Sequence, residues 1–192
     1  MTSIRKHFLV FLGAVAATCL LFAPSASAEF HLASAPATLT GSQTTSLVLT
    51  TNSGTVTCKT ITLSGTQSTK TTSELSFAVK MESCTAFGFI AVPIHWNGCE
   101  FKFTSGGAAH IICPAGKPIE ITVPGCTYLI GAQTPGGSAT YTTSGSAPNR
   151  HIIEHWNFSG LSYIECGTAR TNGTWKGSTT TKASTGDHWW SP

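Results

Sequence analysis

Leu75-Ser76-Phe77-Ala78-Val79-Lys80-Met81-Glu82 changes character at every step, with a large apolar residue followed by a small or charged one. That period of two belongs to a strand with one face buried and one face wet. The same beat returns in Glu100-Phe101-Lys102-Phe103 and in Ile119-Glu120-Ile121-Thr122-Val123. Shorter β-type runs lie at 47–51, 55–63, 89–94, 109–113, 128–130, 139–143, 152–158, 161–166 and 174–182. Turn residues separate them: Asn52-Ser53-Gly54, Ser64-Gly65, Ser105-Gly106-Gly107, Pro114-Ala115-Gly116, Pro135-Gly136-Gly137 and Asn172-Gly173. Threonine, whose branched side chain suits an exposed strand face, fills many outward positions. No stretch carries a capped helical period. The expectation is an all-β domain, an antiparallel β-sandwich with a barrel as the alternative.

The N-terminus has the layout of an export signal. Arg5 and Lys6 precede an uncharged apolar run from Phe8 to Phe22, and Ala26-Ser27-Ala28 offers the small-x-small site of a signal peptidase. The run is shorter than the roughly 20 residues of a membrane anchor. Cys19 lacks the large aliphatic residue before it that lipidation needs. Residues 1–28 therefore read as a cleaved signal peptide and 29–192 as a single all-β domain, with 183–192 as a loose tail. No second apolar span follows, so the expected location is secreted, extracellular, with no membrane association after cleavage.

Six cysteines remain beyond the signal: Cys58, Cys84, Cys99, Cys113, Cys126 and Cys166. An even set in an exported chain reads as a disulfide framework, with fifteen possible pairings. The shortest gap among them is thirteen residues, far from the close knuckles of a zinc site. Strand parity favours particular partners. Cys99 shares a face with Phe101 and Phe103, and Cys113 with Ile111 across the Ser105 turn. Cys58 and Cys84 flank the long Thr55–Met81 hairpin in a similar way, which leaves Cys126 with Cys166.

Beyond residue 28, nine Lys and Arg face eight Asp and Glu, a net charge of +1. Charged residues make up only 10% of the chain, against about 25% in ordinary globular proteins. No basic run exists, so nucleic acid is excluded as a partner. The surface expected is neutral and rich in hydroxyls.

Four constellations could carry chemistry. His151-Ile152-Ile153-Glu154-His155 has the spacing of an inverted zincin. That motif works on a helix; on a strand the two histidines stand about 13 Å apart and cannot share an ion. The flanking Ile152-Ile153 and Trp156-Asn157-Phe158 favour the strand. Glu154 shares parity with Ile152, Trp156 and Phe158, so it points inward. It is the candidate acid for a glycoside hydrolase, although no second carboxylate stands out. The third is the new terminus Glu29-Phe30-His31, whose amine, two backbone amides and imidazole could hold Cu(II) in a square plane, with His31 as the metal ligand. Fourth, the tryptophans are candidate ligand-binding residues: Trp189 and Trp190 in the polar tail are expected to be exposed sugar platforms, and Trp96 and Trp156 are further candidates that read more readily as core or core-edge residues. No serine-hydrolase elbow and no phosphate loop are present, and no cofactor is called for.

Glu29-Phe30-His31, Val56-Thr57-Cys58-Lys59-Thr60, Cys84-Thr85-Ala86-Phe87-Gly88-Phe89, Asn97-Gly98-Cys99 and Cys113-Pro114-Ala115-Gly116-Lys117 together resemble a family of small secreted β-rich bacterial proteins of unassigned function. The resemblance implies an extracellular β-rich protein and transfers no catalytic residue. The functional expectation is a non-enzymatic secreted or cell-surface domain that binds an extracellular glycan or protein. The alternatives are an extracellular enzyme acting through His151, Glu154 and His155 or through Glu154 alone, and a structural or protein-binding module.

Overall fold

A computed structural model describes residues 27–192 of the chain, so residues 1–26 of the expected 1–28 signal lie outside the described residues. Fifteen strands follow one another. They are β1 (Glu29–Leu32), β2 (Ala37–Thr51), β3 (Gly54–Gln67), β4 (Thr71–Thr72), β5 (Glu74–Ala86), β6 (Ile90–Ala91), β7 (Ile94–His95) and β8 (Glu100–Thr104). β9 (Ala108–Ile112), β10 (Ile119–Val123), β11 (Cys126–Ile130), β12 (Gln133–Ser144), β13 (His151–Glu165), β14 (Thr168–Ala183) and β15 (His188–Ser191) complete the set.

Eight of these close into an antiparallel barrel, in the order β12-β9-β8-β5-β3-β2-β14-β13. The closing seam is β12 on β13, running from Gly137 opposite Phe158 to Ser144 opposite His151. The all-β reading holds, and of its two architectures the barrel is the one adopted. Closure follows from strand length and irregularity. β2, β13 and β14 run 15, 15 and 16 residues, and register shifts interrupt their ladders at Ser42/Leu47, Ser159/Leu161 and Lys176/Ser178. Such bulges bend and twist strands, which lets a sheet curl onto itself and lose its edges.

The turn signals were partly misleading. Ser64-Gly65, Gly136-Gly137 and Asn172-Gly173 lie within β3, β12 and β14 rather than between strands. Glycine serves there for close approach. A Cβ on Gly137 would sit 2.3 Å from the Asn157 carbonyl oxygen across the seam.

The quoted stretch sits in β5 as read, with Leu75, Phe77, Val79 and Met81 buried and Ser76, Ala78, Lys80 and Glu82 exposed. An eight-stranded barrel is just wide enough for side chains to fill it. Here Phe101 is the hub, with ring centroids 4.9 Å from Trp156, 5.0 Å from Trp96 and 5.2 Å from Phe158. Trp175, Phe77 and Phe103 are likewise sealed from solvent. Outward positions carry Thr, Ser and Lys, the inverse of a lipid-facing barrel, whose outer band is apolar. Among the described residues no helix is long and apolar enough to cross a membrane.

Both barrel ends are dressed. Beyond the seam, the far end of β13 pairs with β11, which leads to β10 and β7. At the opposite end a separate three-stranded sheet, β15-β1-β4, acts as a plug. Its Phe30, Leu32 and His188 are buried, and Phe30 meets Tyr141 of β12 edge to face at 5.0 Å. The last ten residues, expected as a loose tail, instead supply β15: Glu29 pairs with Ser191 and Leu32 with His188. Apolar contact decided this, since β1 is short and needs β15 to complete its ladder.

Three disulfides join Cys58 to Cys84, Cys99 to Cys113 and Cys126 to Cys166, the three pairings that parity favoured. Cys58 and Cys84 are direct cross-strand partners in the β3–β5 ladder.

Candidate functional site at the plugged end

The His-x-x-Glu-His segment lies on β13, so alternation splits it between two faces. His155 faces outward, its Nδ1 2.6 Å from the Ser178 hydroxyl of β14. His151, at the start of the strand, is half-buried and also on the outer side. Glu154 points inward and is 1% exposed. Thr179 donates its hydroxyl to Glu154 Oε2 at 2.9 Å, while Oε1 has no partner among the described residues. Burial pushes the Glu154 carboxyl up to about 8, against the lowering effect of the hydroxyls of Thr181 and Thr179. Among the described residues no group of three His, Cys, Asp or Glu could hold a metal ion.

Glu154 shares the lumen with one more titratable group of the plug. His188 of β15 is fully buried, and neither ring nitrogen has a hydrogen-bond partner of good geometry among the described residues. Burial drives its pKa down to about 4. Burial also raises the Tyr141 phenol, with the nearby Glu154 adding to it. The other buried acid of β13 is Glu165, which sequence parity did not single out. It sits eleven residues along, about 35 Å away at strand rise, and pairs with Arg170 at 3.2 Å. Paired hydrolytic carboxylates stand under about 10 Å apart, so these two form no such pair.

The tryptophans divide as follows. Trp96 and Trp156 are core residues, as read. Trp189 and Trp190 are not free platforms; both are half-buried in β15. The Trp189 ring stacks on His31 at 5.1 Å and 11° between planes, and the Arg150 guanidinium lies 3.8 Å from its centroid. Arg150 is itself pinned by Asp187, with Nε 2.9 Å from Oδ1 and Nη2 2.6 Å from Oδ2. Hydrogen bonds from Arg150 hold the Asp187 carboxyl below its usual range. Trp190 packs on Tyr141 and donates its indole N–H to the Ser105 carbonyl at 3.1 Å.

The copper site expected at Glu29-Phe30-His31 would require that segment to leave its strand. β1 is extended and clamped between β15 and β4, and successive amides of a strand point to opposite sides. They cannot converge on one ion while Phe30 stays buried. The His31 Nε2 is 2.8 Å from the Ser191 hydroxyl.

What the plugged end does present is a depression of about 330 Å³, lined by Ala28, Ser105, Gly107, Ala139, Tyr141 and Trp190 among others. The Ser105 hydroxyl donates to the Ala28 carbonyl. Ser105 appeared in the sequence only as a turn residue, since the contact spans 77 positions. A wider groove of about 500 Å³ at the far end, with Leu129, Tyr163, Ile164 and Arg170, is mostly apolar. No family model, no curated protein and no solved structure matches the chain.

Proposed function

We propose that this chain works outside the cytoplasm as a non-enzymatic binding module, exported through residues 1–28, with the plugged end of the barrel as its recognition end. The observation that carries the reading is the filled lumen. Phe101, Trp156, Phe158 and Trp175 occupy the space in which a barrel enzyme or carrier would keep its ligand. Glu154, the inward acid, is sealed beneath the plug and reaches no cleft. Three disulfides suit an oxidising compartment and supply rigidity to a domain with few charges.

Peptide is favoured over glycan as the partner. A sugar platform needs an open aromatic face, and the Trp189 ring already carries His31 and Arg150. The Trp190 ring faces the small depression beside Ser105, which suits a narrow chain rather than a pyranose. Protein exported by a bacterial host and incubated with polysaccharide, peptide and ester substrates should release no product and should be retained on none of the polysaccharides. Turnover that disappears in Glu154→Gln would overturn the reading in favour of hydrolysis, and polysaccharide retention lost in Trp189→Ala would restore the glycan.

A further inference from the structure

We infer that the depression holding Ala28 becomes, once the chain is cut after that residue, a site for a peptide end: a short segment whose last residue is small and carries a free α-carboxylate. The inference deepens the export and binding reading above and rests on it.

Ala28 already shows how such a residue sits. Its carbonyl accepts the Ser105 hydroxyl, and it lines the depression together with Gly106, Gly107, Ala139, Tyr141 and Trp190. The walls are held independently of it. Tyr141 donates its hydroxyl to the Thr104 carbonyl at 2.7 Å, Trp190 its indole N–H to Ser105, and the Ala139 amide bonds the Gly107 carbonyl at 2.8 Å. With Ala28 in place Ser105 is 5% exposed and its hydroxyl is engaged by the Ala28 carbonyl, so departure of Ala28 releases that donor for a new acceptor. The site is therefore formed before a ligand arrives, which reduces the ordering cost of binding.

Cutting supplies the missing charge. Hydrolysis of the Ala28–Glu29 bond adds one water: the carbonyl becomes a carboxylate, and the amide nitrogen becomes the ammonium of Glu29. The departing segment leaves the depression, but Glu29 stays, because its strand is paired with β15 and anchored by the buried Phe30. An ammonium thus stands at the mouth, next to the hydroxyl of Ser105. A carboxylate placed where the Ala28 carbonyl was would meet both, and hydrogen bonds to a charged acceptor are about twice as strong as neutral ones. Glycine and alanine make up much of the wall, so a small last residue like Ala28 is the one expected. Even with Ala28 present the depression measures about 330 Å³, within the range of small-ligand sites.

The test uses the exported protein, first checked by intact mass and then labelled with ¹⁵N. It is titrated with N-acetyl-Ala-Ser-Ala as the free acid, the same peptide as the C-terminal amide, and N-acetyl-Ala-Ser-Phe acid. The free acid should shift the Trp190 indole resonance and bind at least about tenfold more tightly than the amide. The Phe-ended peptide should not bind, and Ser105→Ala should weaken the acid about tenfold. Equal affinity for acid and amide overturns the site, as does an unmoved Trp190 indole or no saturation by about 10 mM. Should Ser105→Ala fail to fold, the acid-against-amide comparison on the unchanged protein still decides. A mass that begins anywhere but Glu29 overturns the site and the cleavage reading together. A mass beginning at Glu29 with no preference for the acid overturns the site alone.

Discussion

Thr179 of β14 donates its hydroxyl to Glu154 of β13 at 2.9 Å, directly across the ladder, in a lumen otherwise packed with aromatic rings. A carboxyl held there at about 8 is protonated at neutral pH. It behaves as a hydroxyl donor and acceptor, with no charge to bury.

That placement sets a pH profile. Glu154 titrates near 4.3 when unfolded, so between about 4.3 and 8 the native state holds the extra proton, and stability falls as pH rises. His188 acts the other way. Its folded value near 4 lies below the unfolded 6.5, so stability rises between those two values. The two slopes offset up to about pH 6.5, leaving a decline from 6.5 to 8. Asp187 and Glu165, both held low, lose their contribution only on the acid side of about pH 4. Melting curves from pH 5 to 9 should show the plateau and then the fall. In Glu154→Gln the fall should vanish and a rise below pH 6.5 should emerge, with a gain of a few kcal/mol over the parent at pH 9. A parent flat from 6.5 to 8 would contradict the buried carboxyl.

His188→Leu removes two buried ring nitrogens that have no well-formed hydrogen bond among the described residues. Unpaired buried polar atoms cost about 1–3 kcal/mol, so this change should leave stability at pH 7 equal or raised. A chemical denaturation midpoint shifted down by more than a few tenths of a molar unit would show that the imidazole has a partner it needs.

Arg150 grips Asp187 with two side-chain contacts and one backbone N–H while covering Trp189. Asp187→Asn keeps the size but cannot take a bidentate guanidinium. It should lower the melting temperature by about 5 °C and shift the Trp189 emission as the plug loosens. An unchanged melt and spectrum would mean that the clasp is dispensable to the plug.

Removal of disulfides should follow loop length. The Cys126–Cys166 bridge spans 40 positions and the Cys99–Cys113 bridge 14, corresponding to about 4 and 3 kcal/mol by loop entropy. Paired Cys→Ala variants, compared by denaturant titration, should therefore rank in that order. The reverse order would point to an enthalpic origin.

Barrel closure rests on Gly137. A methyl group there meets the Asn157 carbonyl oxygen at 2.3 Å and the Phe158 Cα at 2.7 Å, both backbone. Gly137→Ala should cost about 3 kcal/mol or more, whereas Gly131→Ala, whose methyl would meet nothing, should be near neutral. Equal stability of the two variants would remove the seam from the account.

Much of this protein is written in short-range pattern. Alternation in 75–82 settled which residues of β5 face inward, because strand side chains must point to opposite faces whatever the partner. The same parity placed Cys99 with Cys113 and turned Glu154 inward. The export layout and the lack of a basic run are likewise properties of neighbouring residues. Pairing across the seam is not of that kind. A sandwich and a barrel share one period of two, and the choice lies in bulges at Ser42 and Ser159 and in a glycine whose only reason is a carbonyl twenty residues away. The plug, the burial of His188 and the meeting of Ser105 with Ala28 depend on contacts that span 77 to 160 positions. No local preference encodes such contacts; they form because a short apolar strand at each chain end has no other place to bury its face.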